Sequence, residues 1–160
     1  MTVRITWDVA PAERPLADGD AVAAAAAALG LGGRPGLDVD VIFVDDATLA
    51  GLHARFLGDS APTDVLAFDL SAAGESQDAP EPTERGPAGE IYVSVDCAQR
   101  VAPERGVAVA RELALYVVHG ALHLCGFDDR EEADRSAMRE AESRVLDTLG
   151  YGPDSAPHDA

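Results

Sequence analysis

The chain contains no lysine, only two cysteines and no long apolar run. Because Cys97 and Cys125 form neither a CxxC pair nor a framework, we predict no disulfide scaffold, and the two thiols are typical of a reducing cytoplasm. No apolar stretch approaches the roughly 20 residues that span a bilayer, and the alanine tract at 23–28 lacks the basic lead-in and cleavage site of a signal peptide. We therefore expect a cytoplasmic protein without a membrane segment.

Basic residues are scarce beside acidic ones. The 29 Asp and Glu residues and only 12 basic residues, all arginine, give a formal net charge of −17. A chain this acidic repels phosphate at long range, so a nucleic-acid ligand would require a local arginine patch, a metal ion or a docking partner. A small-molecule or protein partner would require none of these.

Length and composition predict one folded domain. With 160 residues, 47% of them apolar, the chain can bury a sizeable core, and we place a single domain at 1–152. Residues 71–89 are rich in Pro, Gly, Glu and Ser and predict a flexible acidic surface loop. Residues 153–160 predict a disordered tail.

Apolar periodicity predicts an α+β fold with a mixed sheet of about four strands and about five helices. The predicted strands cover residues 3–7, 38–44, 63–68 and 90–95. The predicted helices cover residues 20–30, 45–58, a segment from 96, 106–125 and 131–149. The helix at 106–125 is apolar nearly all round, so we expect it to be central and buried.

Two histidines four residues apart stand near the end of this central helix. His119 and His123 share one helix face, about 6 Å apart along the axis, so their imidazole nitrogens can converge on one cation. Gly126 ends the helix, and Asp128 and Asp129 follow it. Two histidines and one carboxylate, with a fourth position open to water, form a catalytic zinc arrangement.

A simpler interpretation is a pair of core histidines whose hydrogen bonds are satisfied within the protein. The glycine stop and the two carboxylates favour a metal site instead. The pattern is not the HExxH motif of zinc proteases, because Gly120 stands where that motif has its glutamate base. A water activated here must therefore lose its proton to another group or to solvent.

Several segments carry a resemblance to one family. The run HGALHLCGFDD at 119–129 resembles the HGxLHLxGYDH signature of the YbeY family, bacterial endoribonucleases of ribosomal RNA maturation. Further matches fall in the family's order over about residues 38–152. PTDVLAF at 62–68 resembles the family's PTDVLSF, and GEIYVS at 89–94 resembles its GDIxIS. LHARF at 52–56 resembles its LNxxYR, and LGY at 149–151 resembles its closing LGY.

The resemblance implies an α+β fold with one zinc ion per chain in a cleft at the end of the central helix. It implies a single-strand-specific endoribonuclease that matures the 3′ end of 16S rRNA and takes part in ribosome quality control. The implied partners are small-subunit ribosomal RNA, small-subunit ribosomal proteins and a ribosome-assembly GTPase. His119 and His123 fall on the first two ligand positions, and Arg55 is matched to the family's functional arginine.

Asp129 is a departure from the family, whose third ligand is a histidine. An aspartate oxygen binds zinc at a distance similar to that of an imidazole nitrogen, so we expect His119, His123 and Asp129 to hold the ion. Asp128 is the alternative if the turn differs. The added negative charge would make a bound water less acidic and the metal a weaker Lewis acid.

Three further residues have a functional and a structural interpretation. Arg55 would bind a phosphate through two parallel hydrogen bonds from its guanidinium group, or form an ion pair with an acidic residue at the surface. Glu112 is two turns before His119 and could orient a histidine, although an ordinary helix-start acid is favoured. Asp64 could lie at the mouth of the cleft, or serve as a capping residue of a turn.

Two rival functions follow from the same residues. A zinc hydrolase of peptide or amide substrates shares the histidine pair but lacks the glutamate of HExxH. A non-catalytic ribosome-assembly factor with a structural metal agrees with the acidic surface, which suits docking on basic ribosomal proteins.

Overall fold

The computed structural model describes residues 2–57, 63–70, 87–128 and 130–152. These residues form four strands, five α-helices and one short 3₁₀ helix. The strands are β1 (Val3–Trp7), β2 (Val39–Val44), β3 (Val65–Asp69) and β4 (Gly89–Ser94). The helices are α1 (Asp18–Leu31), α2 (Asp46–Leu57), α3 (Val95–Arg105), α4 (Val109–Leu124) and α5 (Glu132–Thr148), with the 3₁₀ helix at Pro11–Glu13.

The four strands make one mixed sheet in the order β1-β2-β4-β3. β1, β2 and β4 run parallel, and β3 joins β4 antiparallel at the edge. In the register, Val39 pairs with Val3 on one side and with Gly89 on the other. The α+β prediction with a mixed four-stranded sheet is confirmed.

α4 is buried along most of its length, as its nearly uniform apolarity predicts, and it crosses one face of the sheet at very short range. Gly120 permits this approach, because a Cβ there would lie 2.6 Å from Ile91 Cγ2 and 3.1 Å from Val65 Cγ2. A Cβ at Gly89 would likewise lie 2.8 Å from Leu124 Cδ1. The helix that carries the histidines is therefore fixed directly against β3 and β4.

The other face of the sheet is covered in part by α2. Asp45 caps this helix, since its Oδ1 accepts a hydrogen bond from the Thr48 amide at 2.7 Å. Val44, Leu49 and Leu66 form a small buried cluster under it. The two faces of the sheet therefore differ, with the main core on the α4 side and a smaller cluster on the α2 side.

Some predicted boundaries differ from the structure. Ala17 is the N-cap of α1, which begins at Asp18 and not at the predicted residue 20. Gly106, predicted to begin the central helix, ends α3 in the left-handed conformation with φ 70°. A glycine fits here because it adopts this conformation without a Cβ clash. Residues 71–86 of the predicted acidic loop and the whole predicted tail lie outside the described residues, and Gly89 belongs to β4.

No single helix of the described chain is long and apolar enough to cross a membrane. The pair α3 and α4, bent by 117°, passes the same test on length and composition only. Most of α4 is buried inside the protein.

Candidate functional site

The histidine pair lies on the last two turns of α4, with both side chains partly buried. The Nε2 atoms of His119 and His123 are 3.1 Å apart, and the ring centroids are 4.7 Å apart. The i, i+4 spacing on one helix face brings the rings together, as the sequence predicts.

A carboxylate from α5 holds the first ring. His119 Nδ1 is 2.5 Å from Glu142 Oε2, and the Glu142 side chain is only 3% exposed. Because Nδ1–H donates to the carboxylate, a neutral His119 has an unprotonated Nε2 that faces His123. Glu142 therefore fixes both the orientation and the tautomer of the ring.

Sequence reasoning missed Glu142, although a signal exists. The buried side chains of α5 include Met138, Ala141, Val145 and Leu146, and Glu142 belongs to the same stripe. A carboxylate on the apolar face of an amphipathic helix is rarely buried without a partner. The partner here is a histidine 23 residues away in the chain.

The two histidines fit a zinc ion. Two nitrogens at about 2.0–2.1 Å from one tetrahedral zinc ion are about 3.4 Å apart, close to the separation of the Nε2 atoms. The carboxylate behind His119 is the usual outer partner of a metal-binding histidine. Among the residues that the structure describes, no group of three His, Cys, Asp or Glu side chains is placed to hold a metal ion.

The predicted third ligand, Asp129, lies outside the described residues, so its role stays a prediction. Asp128, the alternative, is described, and its side chain is 42% exposed. Its Oδ1 accepts a hydrogen bond from the Arg130 amide at 3.3 Å, and its Oδ2 lies 3.6 Å from Arg130 Nε.

Asp64 lies near enough to His119 for the two side chains to interact electrostatically. It directly precedes Val65, which packs against Gly120, and its carbonyl accepts a hydrogen bond from the Ser94 amide at 3.0 Å. The residue is exposed to solvent, although neighbouring protein atoms surround part of its carboxyl. Burial among these atoms raises the pKa of its carboxyl, the positive charge of His119 in its protonated form opposes this rise, and the negative charge of Glu142 adds to it.

Glu112 does not orient a histidine. Its side chain is fully buried, and both of its oxygens accept hydrogen bonds at 2.8 Å from Arg105 NH1 of α3. The favoured prediction, an ordinary acidic residue at the start of the helix, is confirmed for its position, because Glu112 lies in the first turn of α4. The structure adds a buried ion pair that joins α3 to α4.

Gly120 explains why this helix carries no HExxH base. The position faces β3 and β4, where even a Cβ would collide with Ile91. A glutamate there would point into the sheet and away from any metal-bound water.

The C-terminal end of α4 is held by a residue that sequence reasoning did not select. Arg34 NH1 donates to the Leu124 carbonyl at 2.7 Å and to Asp69 Oδ2 at 3.0 Å. It therefore satisfies a carbonyl of the last turn, where helices need a donor from outside.

Arg55 lies in the last turn of α2 and is exposed to solvent. Its guanidinium carbon is 5.3 Å from the centroid of the Phe56 ring, and no contact with the histidine pair is among its described interactions. In the pattern LNxxYR the arginine is the final position, which Leu57 occupies here, so the register does not support Arg55 as the family's arginine.

Comparison with known proteins gives consistent matches along the chain. The family model described as Endoribonuclease YbeY matches residues 20–150. A protein named Endoribonuclease YbeY from Desulforamulus reducens is 41% identical over 120 residues, 74% of this chain and 76% of the relative. One of the same name from Ruegeria pomeroyi is 37% identical over 152 residues, 90% of this chain and 88% of the relative.

A solved structure has a similar fold. The solution structure of TM1509 from Thermotoga maritima superposes with a TM-score of 0.57 at 24% sequence identity. The match covers 99% of this chain and 100% of that one. At this identity the likeness concerns the fold alone.

Proposed function

Because the chain belongs to the YbeY family of endoribonucleases, we propose that it hydrolyses phosphodiester bonds of ribosomal RNA at a zinc ion held by His119, His123 and Asp129. The observation that carries this proposal is the convergence of two Nε2 atoms at 3.1 Å, with a buried carboxylate behind one ring. That arrangement supplies two nitrogen ligands in fixed orientation.

When bound, zinc lowers the pKa of a coordinated water and polarises a phosphate oxygen. His119 offers Nε2 as a ligand because Glu142 holds the proton of the ring at Nδ1. His123 offers its own Nε2, and Asp129 adds a carboxylate oxygen in place of the family's third histidine.

Asp64 is the group that we assign to receive the proton of the attacking water. Gly120 leaves α4 without a base, and Asp64 is the carboxyl whose pKa is affected by both His119 and Glu142. A raised pKa brings a carboxylate nearer to the range in which a general base works best. The proton would then reside on an Asp64 carboxylate oxygen.

Arg55 is assigned to contact a phosphate of the RNA. Its support is an exposed guanidinium, which can give two parallel hydrogen bonds to phosphate oxygens. A chain with net charge −17 needs such a local cation to hold RNA.

The finer biological role is proposed from the family resemblance. It comprises specificity for single strands, maturation of the 3′ end of 16S rRNA, and ribosome quality control in the cytoplasm. The proposed partners are small-subunit ribosomal proteins and a ribosome-assembly GTPase. Basic ribosomal proteins suit an acidic surface, because complementary charge accelerates and orients docking.

A second candidate is a non-catalytic assembly factor with a structural metal, and the net charge of −17 favours it. Restoring rRNA processing in a deletion strain with His123→Ala, provided this variant stays folded, would establish that candidate. A peptide or amide hydrolase is disfavoured, because the position of the HExxH glutamate is packed against the sheet.

The proposed function is tested by metal content and RNA cleavage together. We expect about one zinc ion per wild-type chain by elemental analysis, a clear loss in Asp129→Ala and retention in Asp129→His. Asp147→Ala, an exposed carboxylate on α5, is the control and should keep both zinc and activity. Equal zinc in wild type and Asp129→Ala would refute the third ligand, and wild-type protein that leaves RNA intact would refute the activity.

A further inference from the structure

Three aromatic side chains form a row on the α2 side of the sheet. Phe56 of α2 meets Phe68 of β3 edge to face at 5.5 Å between centroids, and Phe68 meets Tyr92 of β4 at 5.8 Å. Phe68 and Tyr92 are half-buried, whereas Phe56 is 57% exposed, more than any other large apolar side chain of the described residues. We call these three residues the aromatic row.

The two ends of the aromatic row differ in charge. At the outer end, the Arg55 guanidinium carbon lies 5.3 Å from the Phe56 centroid. At the inner end, the Tyr92 hydroxyl donates to Glu90 Oε2 at 3.3 Å, and the charge of Asp40 also acts on the phenol. A phosphate is therefore attracted at Phe56 and repelled at Tyr92.

An exposed aromatic ring with an arginine beside it suits an unpaired nucleotide. Single-stranded RNA is recognised by stacking bases on aromatic side chains, and arginine contacts the adjacent phosphate. We propose that Phe56 stacks an unpaired base of the RNA substrate while Arg55 contacts the neighbouring phosphate, with Phe68 and Tyr92 as a rigid support. This inference rests on the proposed function and names the part of the substrate that this face binds.

The size of the aromatic row favours a base over a protein partner. A stable protein interface buries about 800 Å² on each partner, whereas a fully buried aromatic side chain supplies only about 150–250 Å². Here one ring is largely exposed and two are already half-buried. A flat ligand the size of a nucleobase matches that area.

The acidity of the chain gives a second reason. A net charge of −17 provides no long-range attraction for RNA. The salt dependence of RNA binding comes from phosphate contacts, whereas stacking joins two uncharged rings, so it adds affinity that the overall charge does not cancel. The contribution of Phe56 should therefore persist at salt concentrations that weaken phosphate contacts.

The first test compares substitutions at Phe56 in the zinc-loaded protein with single-stranded RNA as substrate. Phe56→Ala should raise KM about 10-fold with little change in kcat, because one stacked base contributes roughly 5- to 150-fold in binding. Phe56→Trp should retain the wild-type KM, and Phe56→Leu should resemble Phe56→Ala. Leu31→Ala, which removes another exposed apolar side chain, is the matched control and should change nothing.

The second test removes the base instead of the ring. One abasic nucleotide is placed at each position of a short single-stranded RNA in turn. At the stacked position, the abasic substitution should lower the affinity of the wild-type protein for the RNA about 10-fold. It should not lower the affinity of Phe56→Ala any further. Additive losses at every position, or Phe56→Leu equal to wild type, would overturn the proposal.

Binding without cleavage separates this proposal from the activity itself. Fluorescence anisotropy of a labelled single-stranded oligodeoxynucleotide, which an endoribonuclease leaves intact, should show the same order of Phe56 variants. If the Phe56 variants bind the oligonucleotide in that order but the wild-type protein cleaves no RNA, the proposed function fails and the stacking site stands. If wild type binds no oligonucleotide, or Phe56→Ala changes the oligomeric state in sedimentation, the stacking site is refuted.

Discussion

Glu142 Oε2 lies 2.5 Å from His119 Nδ1, so a buried carboxylate on α5 holds an imidazole on α4. The contact joins two helices that meet only in the folded chain. It sets which nitrogen of a neutral His119 carries the proton, and leaves the unprotonated Nε2 facing His123.

Glu142→Gln should weaken zinc binding about 10- to 100-fold, because the amide no longer draws the proton to Nδ1 as a carboxylate does. Competition with a chromophoric chelator measures the change. Glu140→Gln, an exposed neighbour on the same helix, should retain wild-type affinity. Equal affinities in the two variants would mean that Glu142 has only a packing role.

Gly120→Ala should lower the free energy of unfolding by about 1–3 kcal/mol, because the added methyl group overpacks the contact with Ile91. Urea unfolding measures this change. The control is Gly51→Ala on α2, where a Cβ meets nothing within 4 Å. There the better helix propensity of alanine should stabilise the protein by up to about 1 kcal/mol. A neutral Gly120→Ala would contradict the close approach of α4 to the sheet.

Arg105→Ala should destabilise the protein by about 3–5 kcal/mol, because it leaves the buried Glu112 carboxylate without its ion partner. Replacing both residues, as in Arg105→Met with Glu112→Leu, should recover most of this loss. Thermal and urea unfolding measure both variants, and Arg144→Ala on the exposed face of α5 is the control. A double variant no more stable than Arg105→Ala would show that the ion pair is not the source of the loss.

Asp64 should make stability depend on pH in the zinc-free protein. Its pKa is raised by burial, so the protonated carboxyl favours folding below about pH 4, and this contribution is lost as the pH rises through the folded pKa. Asp64→Asn should therefore be more stable than wild type near pH 7, with the difference shrinking towards about pH 3.

Urea titrations across that pH range provide the measurement for Asp64, with Asp147→Asn as the exposed control. Asp64→Asn should also lower kcat for RNA if the carboxylate receives the proton of the attacking water. A stability difference that does not vary with pH would contradict the raised pKa. An unchanged kcat would mean that the proton of the attacking water goes to solvent and not to Asp64.

Much of the local structure could be predicted from the sequence. The strand at residues 3–7 and the buried character of α4 follow from apolar spacing. The convergence of His119 and His123 follows from helical geometry alone, because both belong to one element. Glu142 could have been suspected from its place on an apolar stripe, but its partner could not be named, because the partner lies on another helix.

Amino-acid order by itself determined what is fixed within one element: the strands and helices, the shared face of the two histidines, and the absence of a glutamate base at position 120. Tertiary structure alone decided which elements meet, and so which carboxylate holds His119, which residue pairs with Glu112, and where Asp64 lies. These contacts join residues distant in the chain, and they depend on the faces along which helices and strands pack. Periodicity reveals that a face is apolar, whereas only packing reveals what covers it.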